Sequence, residues 1–176
     1  MYSVRNKKDS AKMYSVIGMA TTGGEDELVQ NGMVGEIGEQ IEDNIYEFLP
    51  LSATAKDVFV MATPEVDADE SSVQKNSLHG FKMTLGQVGD ATQLERHGKG
   101  EISEDMVDGS CAKTGYLYAV AGSRKLKYKA TKPDTEDNAL LVAKIEDIVP
   151  ATQGMVIGIG GKNLTLNYKN IRFRVL

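Results

Sequence analysis

The chain has 176 residues, of which 41% are hydrophobic and 26% charged, and a net charge of −5. That make-up suits a globular protein burying about two-thirds of its unfolded surface, and the acidity argues against nucleic acid, which selects a basic footprint. One cysteine, Cys111, excludes an intrachain disulfide framework, and no apolar run approaches the ~20 residues of a membrane-spanning helix.

Eighteen glycines, four prolines and no tryptophan point to β structure with frequent turns. Charge is divided unevenly: residues 1–90 hold 7 Lys/Arg and 15 Asp/Glu, a balance of −8, whereas residues 91–176 hold 13 and 10, a balance of +3. Such polarity can orient a subunit against a charged neighbour.

Residues 1–12, MYSVRNKKDSAK, are polar and without period, and are expected to form an arm ahead of a single β-rich domain over 13–176. They lack the apolar core of a secretory signal, so synthesis in a reducing, aqueous cytoplasm is expected. MYSVIGMA (13–20) reads as a strand, Asn31-Gly32 as a turn, and MVGEIG (33–38) as a short half-exposed strand. Val34, Ile37, Ile41, Ile45 and Phe48 fall at helical spacing, but Gly35, Gly38 and Pro50 oppose a helix. Strands over 44–51 and 56–63, joined around SATA, are preferred to it.

PEVDADESSVQKN (64–76) reads as an acidic loop, and residues 79–109 as short strands with frequent glycine corners. GYLYAVAG (115–122) and RKLKYKAT (124–131) form two strands around Gly122-Ser123. Leu126, Tyr128 and Ala130 share one face of the second, and Lys125, Lys127 and Lys129 the other. ALLVAKIEDIV (139–149) is a strand or a short helix. Leu164, Leu166 and Tyr168 are in one phase and Ile171, Phe173 and Val175 in the other, so a bulge near Lys169-Asn170 is expected. The whole predicts an all-β barrel or sandwich of eight to eleven short strands.

GMVIGIGGKNLTLN (154–167) has the glycines of a phosphate loop but not its spacing. The P-loop's first glycine position is Val156, Asn163 stands where Ser or Thr is needed, and a strand pattern follows where a helix is required. It reads instead as a hairpin turning at the glycines and Lys162-Asn163. The two S-x-x-K matches, Ser72–Lys75 and Ser110–Lys113, lack the third element of a penicillin-binding site. His79 and His97 sit beside glycines in turn-like contexts, away from metal-ligand spacing. DADESS (67–72) departs from a calcium loop at its glycine and its final glutamate. Cys111 has no partner base, which favours an inert thiol. No enzyme, cofactor, metal site or small-molecule substrate is therefore expected.

The ordered series YSVIGMA, ELVQNGMVGEIGE, NIYEFLPLSA, VFVMATPEVD, LHGFKMTLGQVGDATQLERHGKGEISEDMVDG and GYLYAVAGSRKLK is similar to small structural proteins of tailed bacteriophages encoded beside the major capsid protein. The resemblance covers residues 13–131. It implies an all-β, non-enzymatic virion component that decorates and cements the capsid, binds the major capsid protein and is homo-oligomeric there. Tail or head–tail connector proteins are an alternative of the same class. A β-barrel carbohydrate-binding or hydrolase module, with Tyr116 and Tyr118 lining a groove, is the alternative from another. The candidate partner contacts are the arm cations Arg5, Lys7, Lys8 and Lys12, and the strand lysines Lys125, Lys127 and Lys129; a solvated strand face is the plainer reading of the latter.

Overall fold

The alternating segments fold into strands joined by tight turns. The structure is a computed structural model that describes residues 12–18, 29–63, 87–151, 157–159, 162–164 and 168–176. The expected loop over 64–76, His79 and most of the arm lie outside these.

The first half closes into a barrel. Its strands are β1 (Met13–Gly18), β2 (Val34–Glu42), β3 (Ile45–Leu49), β4 (Phe59–Met61) and β5 (Gly89–Gln93), ordered β1-β3-β2-β4-β5 and closed by β5 on β1. Within the barrel, among the described residues, only β1 and β3 run parallel, with Ser15 opposite Ile45. The second half gives β6 (Lys99–Ser103), β7 (Val107–Asp108), β8 (Tyr116–Ala119), β9 (Leu126–Lys129), β10 (Leu141–Ala151) and β13 (Tyr168–Val175). These make a six-stranded sheet of order β6-β13-β10-β8-β9-β7. A separate ribbon pairs β11 (Ile157–Ile159) with β12 (Lys162–Leu164). The all-β expectation holds, with a barrel and an open sheet present together. Thirteen strands are found among the described residues, beyond the expected eleven, because several are fragments of two or three residues.

One apolar strand explains how the two layers join. On β4, Phe59 and Met61 pack with Val16, Phe48 and Ala91 inside the barrel. Val60 points the other way and packs with Val34, Leu117, Leu126, Ile171 and Phe173, between the barrel wall and the sheet. Both faces of β4 are buried, so VFVM reads as a continuous apolar run without alternation. Each such side chain contributes about 1.5–3 kcal/mol by leaving water.

The strand reading of residues 34–49 holds as a hairpin of β2 and β3, and β2 runs through Gly38 to Glu42, four residues beyond the expected strand. Two irregularities, between Ile37 and Gln40 and between Gln40 and Glu42, each set one extra β2 residue against β3. Val34 packs on the sheet side, Ile37 against the barrel interior, and Ile41 at the second irregularity is exposed, so the helix-like spacing mixes different environments instead of marking one helical face. No register break occurs at Lys169-Asn170, since Pro150 faces Lys169 and Val149 faces Asn170. The bulge lies on the partner strand, between Ile145 and Asp147. In the ribbon, Ile159 faces Lys162, which leaves only positions 160 and 161 between the paired strands. Lys162 and Asn163 therefore belong to β12 and not to the turn.

Candidate interaction surfaces

Sheet register assembles a charged face that the linear sequence scatters. Inward residues of β13 are Ile171, Phe173 and Val175, so Arg172 and Arg174 project outward. Register then places Lys99, Arg174, Lys144, Tyr116 and Lys129 in one row across β6, β13, β10, β8 and β9. A second row holds Val142, Tyr118, Lys127 and Asp108.

Most of these cations are already matched by the chain's own acids. Glu146 bridges Lys99 at 3.3 Å and Arg174 at 2.7 Å. Glu101 accepts from Arg172 Nε at 3.0 Å and from Asn170 Nδ2 at 2.8 Å. Lys129 donates to Asp137 at 2.5 Å and lies 3.5 Å from Asp134. The 3-10 turn Thr135–Asp137 aims Asp137, whose Oδ2 also accepts the Asp134 backbone N–H. Lys129 holds the Asp137 carboxyl below its usual value, and Asp137 raises the ammonium in return.

Of the candidate contacts, Arg5, Lys7 and Lys8 lie outside the described residues. Lys12 is exposed, and its carbonyl accepts the Gln93 N–H at 2.9 Å, which extends the β1–β5 pairing by one residue. Lys127 faces Tyr118 and Asp108 across neighbouring strands, whereas Lys125 precedes β9 in a turn fastened by Ser123 Oγ. Tyr116 and Tyr118 are half-buried on the outer sheet face and line neither groove described below. The β13 arginines, Arg172 and Arg174, were not among the expected contacts, although the I-R-F-R-V alternation marks them as an outward pair.

A concavity lies at the seam between barrel and sheet. It is an open groove of about 770 Å³ floored by Val58, Leu94, Leu140, Val142 and Val175. Lys56, Arg96 and Lys132 stand at its rim with Asp57 and Glu95, and Asp57 accepts from Gln93 Nε2 at 2.8 Å. A shallower hollow of about 530 Å³ continues from it, past Ala139 to Pro133 and Ala53.

Isolated chemistry-bearing residues have structural surroundings. His97 is exposed in a turn with φ of 64°. Lys113, from the S-x-x-K match, pairs with Asp147 at 3.1 Å. Cys111 is half-buried, and burial followed by the Glu104 carboxylate pushes its thiol up to about 11, which opposes nucleophilic use. Among the described residues no cluster of three or more His, Cys, Asp or Glu is arranged to hold a metal ion. No family model, no curated protein and no solved structure matches this chain.

Proposed function

We propose that this protein is a structural component of a tailed-phage particle, bound to the shell of the major capsid protein as a decoration or cement subunit. The carrying observation is the segment-order resemblance over residues 13–131, and the fold supports it in one respect. Two turns within the matched segments tie the two layers together. The Asn31-Gly32 turn packs against Met106 and Ile102 of the sheet side, and the Gly122-Ser123 turn hydrogen-bonds to Leu51 on the barrel side. A protein bearing load between shell subunits needs such cross-tied rigidity, and its outer sheet face offers rows of charged side chains to neighbours.

Mass spectrometry of purified particles tests this reading. Hundreds of copies per head, with recombinant chain rebinding to heads stripped of it, are expected. A single ring of copies would assign the protein to the tail or connector instead, and absence from the particle would overturn the proposal.

A further inference from the structure

Among the described residues, two surfaces carry ionic side chains of opposite sign that make no ion pair. Residues 33–55 contain Glu36, Glu39, Glu42, Asp43 and Glu47 and no Lys or Arg. At the β2–β3 turn, residues 39–44 are all exposed. Ile41 there is 45% exposed, and Met13, two residues before the Ser15–Ile45 pair, is 65% exposed. This barrel end is thus an apolar tip set among carboxylates. Among the described residues, no cation stands at ion-pair distance from Glu39, Glu42 or Asp43.

The seam groove is its converse. Its floor is apolar and its mouth holds exposed Leu176, while the exposed cations Lys56, Arg96 and Lys132 outnumber the two rim carboxylates, Asp57 and Glu95. None of the three has a carboxylate at ion-pair distance among the described residues. The outer sheet face differs, because Lys99, Arg172, Arg174 and Lys129 are paired internally.

We propose that the two surfaces bind each other between copies: the barrel tip around Ile41 of one chain seats in the Arg96–Lys132 groove of a second. Within one chain they cannot meet. The tip lies at the start of β3, whereas the chain enters the groove at Lys56, beyond the strand's other end, and strands rise about 3.3 Å per residue. Tip and groove are different surfaces, so the contact is head-to-tail and leads to a ring or an open filament. The −8 and +3 halves of the chain favour the same orientation at long range.

Sedimentation velocity on the isolated full chain tests this independently of any capsid. The chain is expected to assemble with concentration at low ionic strength and to dissociate as salt rises. Ile41→Asp or Glu42→Lys spoils the tip, and Arg96→Glu spoils the groove. All three positions are exposed, and circular dichroism should report unchanged folding. Each variant should raise the assembly midpoint by about tenfold or more. An equimolar mixture of Ile41→Asp and Arg96→Glu chains retains one good groove and one good tip, so it should form a 1:1 dimer and stop there. A wild-type chain monomeric at roughly millimolar concentration in low salt, variants that assemble like wild type, or a mixture that stays monomeric would each overturn the proposal.

Discussion

The guanidinium of Arg124 lies over the Phe48 ring, 5.1 Å from its centroid, while Nη2 donates to the Phe48 carbonyl at 3.1 Å. Arg124 belongs to the β8–β9 connection of the sheet, and Phe48 is a fully buried residue of the barrel. The Arg124 carbonyl also accepts the Val34 N–H at 2.8 Å. One residue therefore ties the layers by backbone, charge and ring face. Arg124→Ala should lower unfolding free energy in urea by about 2 kcal/mol. Arg124→Lys should recover less than half of that loss, because an ammonium cannot stack flat and donate in the same pose. Equal stability of the lysine variant and wild type would refute the stacking role.

Gly35 makes room for that arginine. A Cβ at position 35 would stand 2.8 Å from Phe48 Cζ and 3.0 Å from Arg124 Nη1, and would overlap the Leu49 carbonyl. Gly35→Ala should therefore destabilise by about 1–3 kcal/mol through crowding. Combined with Arg124→Ala it should cost less than the sum of the two, since one clashing neighbour is then gone. Strict additivity in the double-mutant cycle would show that Gly35 acts on the barrel wall alone.

The strand identities were legible because the alternation in YLYA, LKYK and NIRFRVL is local and survives tertiary packing. The hairpin over 34–49 was harder, since Val34 and Ile37 face opposite sides of β2 and two bulges lie between Ile37 and Glu42, which leaves a helix-like spacing. β4 hid its role for the opposite reason, because a strand buried on both faces has no polar phase to read. The surfaces were not legible. Lys99, Arg174, Lys144 and Lys129 come from four separate segments, and only register brings them into one row. The seam groove likewise depends on where the barrel meets the sheet, a relation between Leu94 and Val175 that no spacing encodes.

Asn31 supplies more than turn propensity. It is 1% exposed, and its amide makes a two-way match with Thr63, Nδ2 to the carbonyl at 2.7 Å and Oδ1 from the N–H at 2.8 Å. The side chain thus imitates a strand partner just beyond β4. Asn31→Ala leaves both Thr63 groups without this partner and should cost about 2–3 kcal/mol. Asn31→Asp should cost more at neutral pH, because a carboxylate offers no donor to the Thr63 carbonyl. That penalty should shrink as pH falls and the protonated carboxyl regains a donor. Chemical denaturation at two pH values separates these cases, and a pH-independent penalty would contradict the hydrogen-bond assignment.

Asp137 is held below its ordinary value of 3.8 first by Lys129 and then by the Asp134 backbone N–H. A carboxyl depressed in the folded state favours folding above its unfolded pKa and loses that effect as pH falls through the folded value. Lys129 is raised above 10.5, chiefly by Asp137, so its share is complete below 10.5 and fades as pH climbs through the folded value. Lys129→Met should move the Asp137 titration, followed by carboxyl NMR shifts, upward towards 3.8. Asp147 serves as internal control, since Lys113 is the main cause of its own depression, and it should not move. A shift of both would point to a change in overall fold or charge.

The thiol of Cys111 offers a chemical reading of the sheet's far corner. It packs against the apolar core between the layers, and its pKa rises from 9.0 to about 11. Burial is the main cause and Glu104 the next, with Lys169 pulling the other way. Thiolate is the reactive form, so iodoacetamide labelling of the folded chain should stay slow through pH 9 and keep accelerating towards pH 11. Unfolding in urea should restore an ordinary profile. Glu104→Gln should shift the folded profile to lower pH and Lys169→Ala to higher pH, because each removes one charge of known sign. A labelling rate that levels off near pH 9 in the native chain would mean that the thiol is solvated and that its contact with the core is not maintained in solution.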